Sequence, residues 1–387
     1  MPHESAKPLR LKDRVRVSIR RTQLRRVPTW VLFLAVAVLL LFSLLYQRCD
    51  VLRDGGSVSS SERGQARLTF LGSVYPGGEY RGFFDGKGTV RPLTGVSALW
   101  VDSDYVFAGL DCPVLPRDPS RYSPLDVSEP RFCTPAQFIA LSDAGVNAFA
   151  IANDHSGDYK KKGLTEMVDW LDGNSVLYAG YLPYRMATSL DDESNGAQSN
   201  NFTRLNCGGY RVGFLSIADY YFREEPLYGV LTTARNELLE YVVDAAIHND
   251  FVVVYVHWKD SGSPEVTERQ RELAQDLINA GANVVIGTGP AVLQPVELYG
   301  RGIVCYSLGS LTPDSESSFS RDTVLIQFDL DGDGNKTLSL YPAHVQNGIP
   351  RLATHGFHNR RILNRLLCLL DADSFTVNNG VATIPLK

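Results

Sequence analysis

The stretch LSDAGVNAFAIANDHSGDYKKKGLTEMVDWLDG, residues 141–173, decides the fold. Gly145 closes a helix, as a glycine free to take a left-handed backbone does. The run VNAFAIA, residues 146–152, is small and apolar without polar alternation, which is how a strand covered on both faces reads. It stops abruptly at Asn153, Asp154 and His155. KGLTEMVDWLDG then takes up helical spacing and ends at Gly173. A covered strand between two helices belongs to a layered α/β protein. In such folds ligands gather where strands end, and there the three polar residues stand.

The pattern continues on both sides. RLTFLGSV (67–74) and DYVFAGLD (104–111) read as strands. TPAQFIALSDAG opens a helix with Thr134 as N-cap, Pro135 at the first helical position and Gln137 placed to complete a capping box. Residues 202–218 form a hairpin turning at Gly208 and Gly209. A helix over 233–249, a fully buried strand over 251–258, a helix over 266–281 and strands over 283–287 and 302–309 follow. The chain closes with a hairpin over 323–345, an amphipathic helix over 357–370 and a short hairpin over 375–384. Hairpins among alternating strands and helices predict mixed rather than purely parallel sheets.

Composition is globular, with 44% apolar and 21% charged residues in a chain of 387. A net charge of -5 gives no reason to expect a nucleic-acid partner. Its distribution is uneven: residues 1–28 carry nine Lys or Arg against Glu4 and Asp13. Thr29 to Tyr46 follow without a charge, Gly or Pro. As a helix they span about 27 Å, close to the thickness of a bilayer's hydrocarbon core. Trp30 and Tyr46 near the ends suit the interfaces, and the basic flank keeps the N-terminus in the cytoplasm. The expected organisation is therefore a basic cytoplasmic segment (1–28), a single transmembrane helix (29–47) in the cell membrane, a flexible Ser/Gly-rich stalk (48–65), an exported α/β domain (66–350), and a helix and hairpin (351–387) that complete it.

The six cysteines have no CxxC spacing, so neither a zinc knuckle nor a disulfide framework is expected; Cys112 and Cys133 can pair in an oxidising compartment. DLDGDG (329–334) starts like a calcium loop, but Leu340 occupies the position of the closing acid, and a polar hairpin turn is the better reading.

Three strand ends carry metal-type groups: Asp111, then Asn153 and His155, then His257. A carboxylate, an amide oxygen and two imidazoles form a plausible shell for one zinc, manganese or iron ion. These two histidines directly follow strongly apolar strands.

The same segments resemble the CapA family, associated with bacterial capsule and poly-gamma-glutamate synthesis and similar to the calcineurin-like metallophosphoesterases. FLGSV (70–74) stands for the family's GD-containing first strand, AGLDCPV (108–114) for its NLE segment, residues 141–171 for its ANNH segment, and VVVYVHWKD (252–260) for its HWG segment. Residues 271–310 follow the segment that ends in GHHPH and YSLGN, and YPAHVQNGIPRLA (341–353) and RILNRLL (361–367) resemble the domain's end. The resemblance implies a four-layer α/β/β/α sandwich. It also marks losses. Ser73 replaces the first Asp, and Asp111 shortens the NLE acid. Asp154 replaces the second Asn of ANNH. Thr288, Gly289 and Ala291 stand for the histidines of GHHPH.

A two-metal hydrolytic centre needs ligands for both ions. The expectation is therefore at most one divalent metal, on Asp111, Asn153, His155 and His257, with reduced or absent catalysis. The resemblance implies a role in capsule or envelope polymer synthesis or attachment, with an anionic polymer or synthase subunits as partners. The alternative is an active single-metal hydrolase or transferase in which Asp154 and His155 act in catalysis. Lys259, where the family has Gly, is a candidate internal cation, and it and Thr288 are the candidates for substrate contact.

Overall fold

Runs of Val, Ile and Phe without alternation occupy the middle of each of two sheets, and sequences with one polar face lie at the edges. The computed structural model describes residues 64–85, 93–125, 129–181, 202–219, 229–233, 237–259, 262–313 and 317–386. The expected transmembrane helix over 29–47 and its basic flank lie outside these residues. Among the described residues, no helix is long and apolar enough to cross a membrane.

Four parallel strands form one side of the nine-stranded first sheet: β1 (Ala66–Val74), β2 (Tyr105–Leu110), β3 (Ala148–Ala150) and β4 (Leu177–Ala179). In the second sheet the hairpin β5 (Thr203–Cys207) and β6 (Tyr210–Asp219) leads to β7 (Phe251–Trp258) and β8 (Val284–Thr288), and then to β9 (Gln294–Tyr299) and β10 (Gly302–Ser307). Its order is β5-β6-β7-β8-β10-β9, parallel in the middle and antiparallel at both edges. The chain then returns to the first sheet. β11 (Asp322–Leu330) pairs antiparallel with β1, β12 (Lys336–Gln346) with β11, and the short β13 (Ile349–Leu352) with β12. The final hairpin β14 (Thr376–Asn378) and β15 (Val381–Leu386) closes the edge against β12.

Among the described residues six α-helices accompany the sheets: α1 (Arg81–Phe84), α2 (Pro135–Asp143), α3 (Lys160–Gly173), α4 (Leu238–His248), α5 (Glu268–Asn279) and α6 (Gly356–Leu367). Phe138, Leu141, Met167 and Leu171 of α2 and α3 bury against Val106, Phe149 and Ile151 on the outer face of the first sheet. Val242 and Ala245 of α4 and Ala274 and Leu277 of α5 do the same against Val252, Val254 and Val285 of the second. The inner faces meet through Phe70 and Phe107 on one side and Phe214 and Tyr255 on the other. Phe107 and Phe214 meet edge to face, their rings 4.9 Å apart, in the geometry the ring quadrupole favours.

Two devices join the sheets where the strands end. β1 bulges between Phe70 and Ser73, and the Tyr255 hydroxyl of the second sheet reaches the Leu71 carbonyl at 3.0 Å and that of Phe107 at 3.2 Å. Beyond the bulge, Ser73 N–H donates to Gly309 O at 3.2 Å and Leu311 N–H to Ser73 O at 2.9 Å. A Cβ on Gly72 would stand 2.0 Å from Gly309 O, so a side chain there would force the seam apart.

Local signals explain most boundaries. Both bonds of the Thr134–Gln137 capping box form, and Thr267 and Gln270 make a second one ahead of α5. β9 is an addition to the sequence reading: QPVELY contains a proline and pairs along one side only, as an edge strand allows. α6 is more than a surface helix. Ile362, Leu363 and Leu366 enter the inter-sheet core. Arg361 grips the buried Asp322 of β11 with two hydrogen bonds of 2.7 Å while its guanidinium contacts the rings of Phe319 and Phe357.

Phe107→Ala should cost about 3–5 kcal/mol of unfolding free energy, because the rigid sheets cannot close the gap. Denaturant unfolding checks this. The expected result is a lower midpoint with an unchanged slope, since the surface exposed on unfolding stays the same.

Candidate active site at the strand ends

β2, β3, β7 and β8 end side by side, and polar residues succeed apolar ones at each end. Asp111 follows β2, the turn Asn153–Asp158 follows β3, His257 closes β7 and Thr288 closes β8. Ser73 and Gly109 complete the floor. The gap between these ends is too narrow to admit a water molecule. A ligand must therefore approach the rim, where the side chain of Asp154 is 32% exposed against 9% for His257.

The turn after β3 is built by its own polar groups. Asn153 Nδ2 donates to Leu110 O at 2.6 Å and Ile151 O at 3.3 Å, and its Oδ1 accepts from His155 N–H at 2.9 Å. Ser156 Oγ donates to Ile151 O at 2.6 Å and accepts from Asn153 N–H at 2.9 Å. Asn153 is thus a strut that ties the turn to β2. Asp158 accepts from His155 Nδ1 at 2.8 Å and from Arg131 N–H at 2.7 Å through one oxygen, Oδ2. That contact orients the imidazole and leaves Nε2 facing the rim.

Asp154 stands between two imidazoles. His257 Nε2 is 3.0 Å from its Oδ1, and His155 Nε2 is 3.9 Å away. The first contact is an ion pair without the alignment of a hydrogen bond, so Asp154 Oδ1 is buried with no hydrogen-bond donor. Asp111 Oδ1 is in the same condition, while Asp111 Oδ2 meets Arg131 Nη1 in a very short salt bridge. Single donor atoms of Asp111, Asp154 and His155 lie within 4.8 Å of one another.

These contacts move protons. Burial opposes the charge on Asp154, but His257, His155 and Arg131 outweigh it and hold the carboxyl well below the usual range. Burial likewise opposes the charged imidazoles and is outweighed. Asp154 and then Asp111 raise His257, and Asp158, Asp111 and Asp154 raise His155.

The structure brings together Asp111, Asn153, Asp154, His155, His257 and Thr288. Thr288 is buried and its Oγ1 lies 3.4 Å from His257 Nδ1, so it faces the imidazole rather than the rim. Lys259 is exposed beyond Trp258, and the cation on Asp111 is Arg131. Sequence reasoning missed Arg131 and Asp158. Asp158 had a signal, since it lies i+3 from His155 in a tight turn; Arg131 comes from a loop with no motif. Two positions where histidines are expected from the family pattern carry little: Ala291 has only a methyl, and Gly289 has φ +104° with a would-be Cβ 2.2 Å from Trp258 O. Cys112 and Cys133, which flank this chemistry, are both buried as thiols in contact with each other.

Two face-to-face sheets with carboxylates and imidazoles at adjoining strand ends define an α/β domain with a polar strand-end cluster. The description "Bacterial capsule synthesis protein PGA_cap" belongs to a family whose model matches residues 67–315, and the chain belongs to that family. Capsule biosynthesis protein CapA of Bacillus anthracis is 26% identical over 370 residues, 92% of this chain and 86% of that protein. PGA biosynthesis protein CapA of Bacillus subtilis (strain 168) is 25% identical over 288 residues, 73% of this chain and 72% of that one. A crystal structure of a hypothetical protein from Thermus thermophilus aligns with a TM-score of 0.40 and 16% identity over 73% of this chain and 95% of its own.

The lowered Asp154 contributes stability above the usual carboxylate range of about pH 4, and the raised His257 contributes below about 6.5, the ordinary imidazole value. Their pair therefore stabilises most between these limits and fades as pH rises through the folded-state value of His257. Asp154→Asn should lower the apparent pKa of His257, read by ring-proton NMR. The variant's loss of stability relative to wild type should shrink above neutrality.

Proposed function

We propose that this protein acts in the synthesis or attachment of an anionic capsule-type polymer at the cell envelope. In this reading an N-terminal helix anchors it in the membrane, the α/β domain lies outside the cytoplasm, and its strand-end centre takes at most one divalent cation. Family membership and the names of the two CapA relatives support the polymer. The basic and apolar order of residues 1–46 supports the anchor. The layering of helix, sheet, sheet and helix agrees with a metallophosphoesterase-like ancestry.

One observation carries the reading of the centre. Asp111 Oδ1 is buried without a donor, and Asp154 Oδ1, met only by the imidazoles of His257 and His155, lies beside it. Buried carboxylate oxygens without hydrogen bonds are costly, and a cation is what such a donor set suits. Asp111, Asp154 and His155 would hold it, and His257 would steady Asp154 behind them. A bound divalent ion supplies Lewis acidity and lowers the pKa of a water molecule. The other half of the centre has Thr288, Gly289 and Ala291, which do not fit a second ion. The chain's own groups do the rest: Asp158 orients His155, Arg131 offers positive charge to an anionic group, and the narrow gap keeps chemistry at the rim. An active single-metal hydrolase or transferase would also require a proton acceptor at this rim.

Elemental analysis and manganese titration of the purified chain should give no more than one ion per molecule, lost in Asp111→Ala and His155→Ala. Two ions would sink the reading of the centre. Deleting the gene in its host should reduce cell-bound polymer, and an unchanged amount would refute the polymer role. Restoring polymer with the Asp111→Ala variant would mean that binding or assembly suffices, whereas failure to restore it with a folded variant would favour the enzyme.

A further inference from the structure

Arg131 is the guanidinium at this centre, reaching it from the loop ahead of α2. Its side chain is 20% exposed and reaches Asp111, itself 13% exposed, through Nη1. The Tyr75 ring lies 5.1 Å from its guanidinium carbon. Its own N–H is anchored on Asp158 Oδ2 at 2.7 Å, the oxygen that also orients His155. The residue is thus fixed at both ends, by backbone on one carboxylate and by side chain on another. Three carboxylates, Asp111, Asp154 and Asp158, face one guanidinium and two imidazoles. Such a cluster compensates its own charge from within. A divalent ion on Asp111, Asp154 and His155 would sit beside the guanidinium and share Asp111 with it.

We propose that Arg131 is a built-in counter-ion of the centre, occupying Asp111 where a metal ion would otherwise draw on both of its oxygens, and so sets how weakly a divalent cation is held. The inference rests on the one-cation reading above and adds a specificity-determining residue to it. A guanidinium is a permanent charge that cannot step aside by losing its proton. Metal binding therefore works against a nearby positive charge at every physiological pH.

The test compares manganese affinity of the full chain, in detergent, with that of Arg131→Met, by titration calorimetry and equilibrium dialysis. Arg131→Met should bind manganese at least about tenfold more tightly, since even at an effective protein dielectric a like charge removed from this range has that effect. The gain should vanish in the double variant Arg131→Met, Asp111→Asn, because the freed carboxylate is its source. Arg131→Lys, whose shorter-reaching ammonium lacks the planar guanidinium, should show an intermediate gain and serves if the Met variant melts early. Equal or weaker affinity in the folded Met and Lys variants would overturn the inference. The wild-type stoichiometry judges the one-cation reading separately. Binding in Arg131→Met alone would uphold the inference and remove that reading; equal binding in both would do the reverse; no binding in either would remove both.

Discussion

The hydroxyl of Tyr255 is the contact on which the geometry of this molecule turns. A bulge in β1 between Phe70 and Ser73 interrupts the ladder near Leu71. The Tyr255 oxygen lies within reach of that carbonyl and of the one on Phe107, so a single polar atom spans the apolar space between the sheets. It is fully buried and its proton is held, with burial pushing the phenol well above its usual range. Along the chain Tyr255 is two residues before His257, and Phe107 is four before Asp111. Fixing these two points fixes how far apart the ends of β7 and β2 stand. The glycine seam between Gly72 and Gly309 then holds the same edge closed with backbone hydrogen bonds.

Once the strand ends are fixed, electrostatics decides what can occupy them. Carboxylates withdrawn from water need positive partners or hydrogen-bond donors. In this chain the partners are organic: Arg131 for Asp111, and His257 with His155 for Asp154. The hydrogen bonding is incomplete, since Asp111 Oδ1 is buried with no donor.

Much of this is legible in the sequence. Covered strands announce themselves by unbroken apolar runs, so β1, β2, β6, β7, β8 and β10 and the turn after β3 can be placed, and with them Asp111, His155 and His257. The capping box at Thr134 marks the start of α2. What escapes is whatever depends on the path of a loop. Arg131 lies in an irregular segment ahead of α2, where no periodicity constrains the direction of a side chain, so its meeting with Asp111 is a tertiary fact. Lys259 shows the converse. It sits one residue past a buried strand, close to the site in sequence, yet β7 ends at Trp258 and the next side chain turns outward to solvent. Asn153 looks like a ligand because its type and position suit one. The structure gives its amide three bonds, one to the end of β2 and two beside its own turn, a role no residue-type pattern separates from ligation.

The backbone at Gly289 bears on the history of the site. Its left-handed φ and the 2.2 Å approach of a would-be Cβ to Trp258 O leave no room for any side chain, an imidazole least of all. The loop has settled into a path that only glycine permits. A lineage arriving at this sequence from a histidine-bearing ancestor has passed a ratchet, because reverting the one codon would meet the carbonyl of a neighbouring strand before it met a metal. Placing an imidazole here would require rebuilding the loop first.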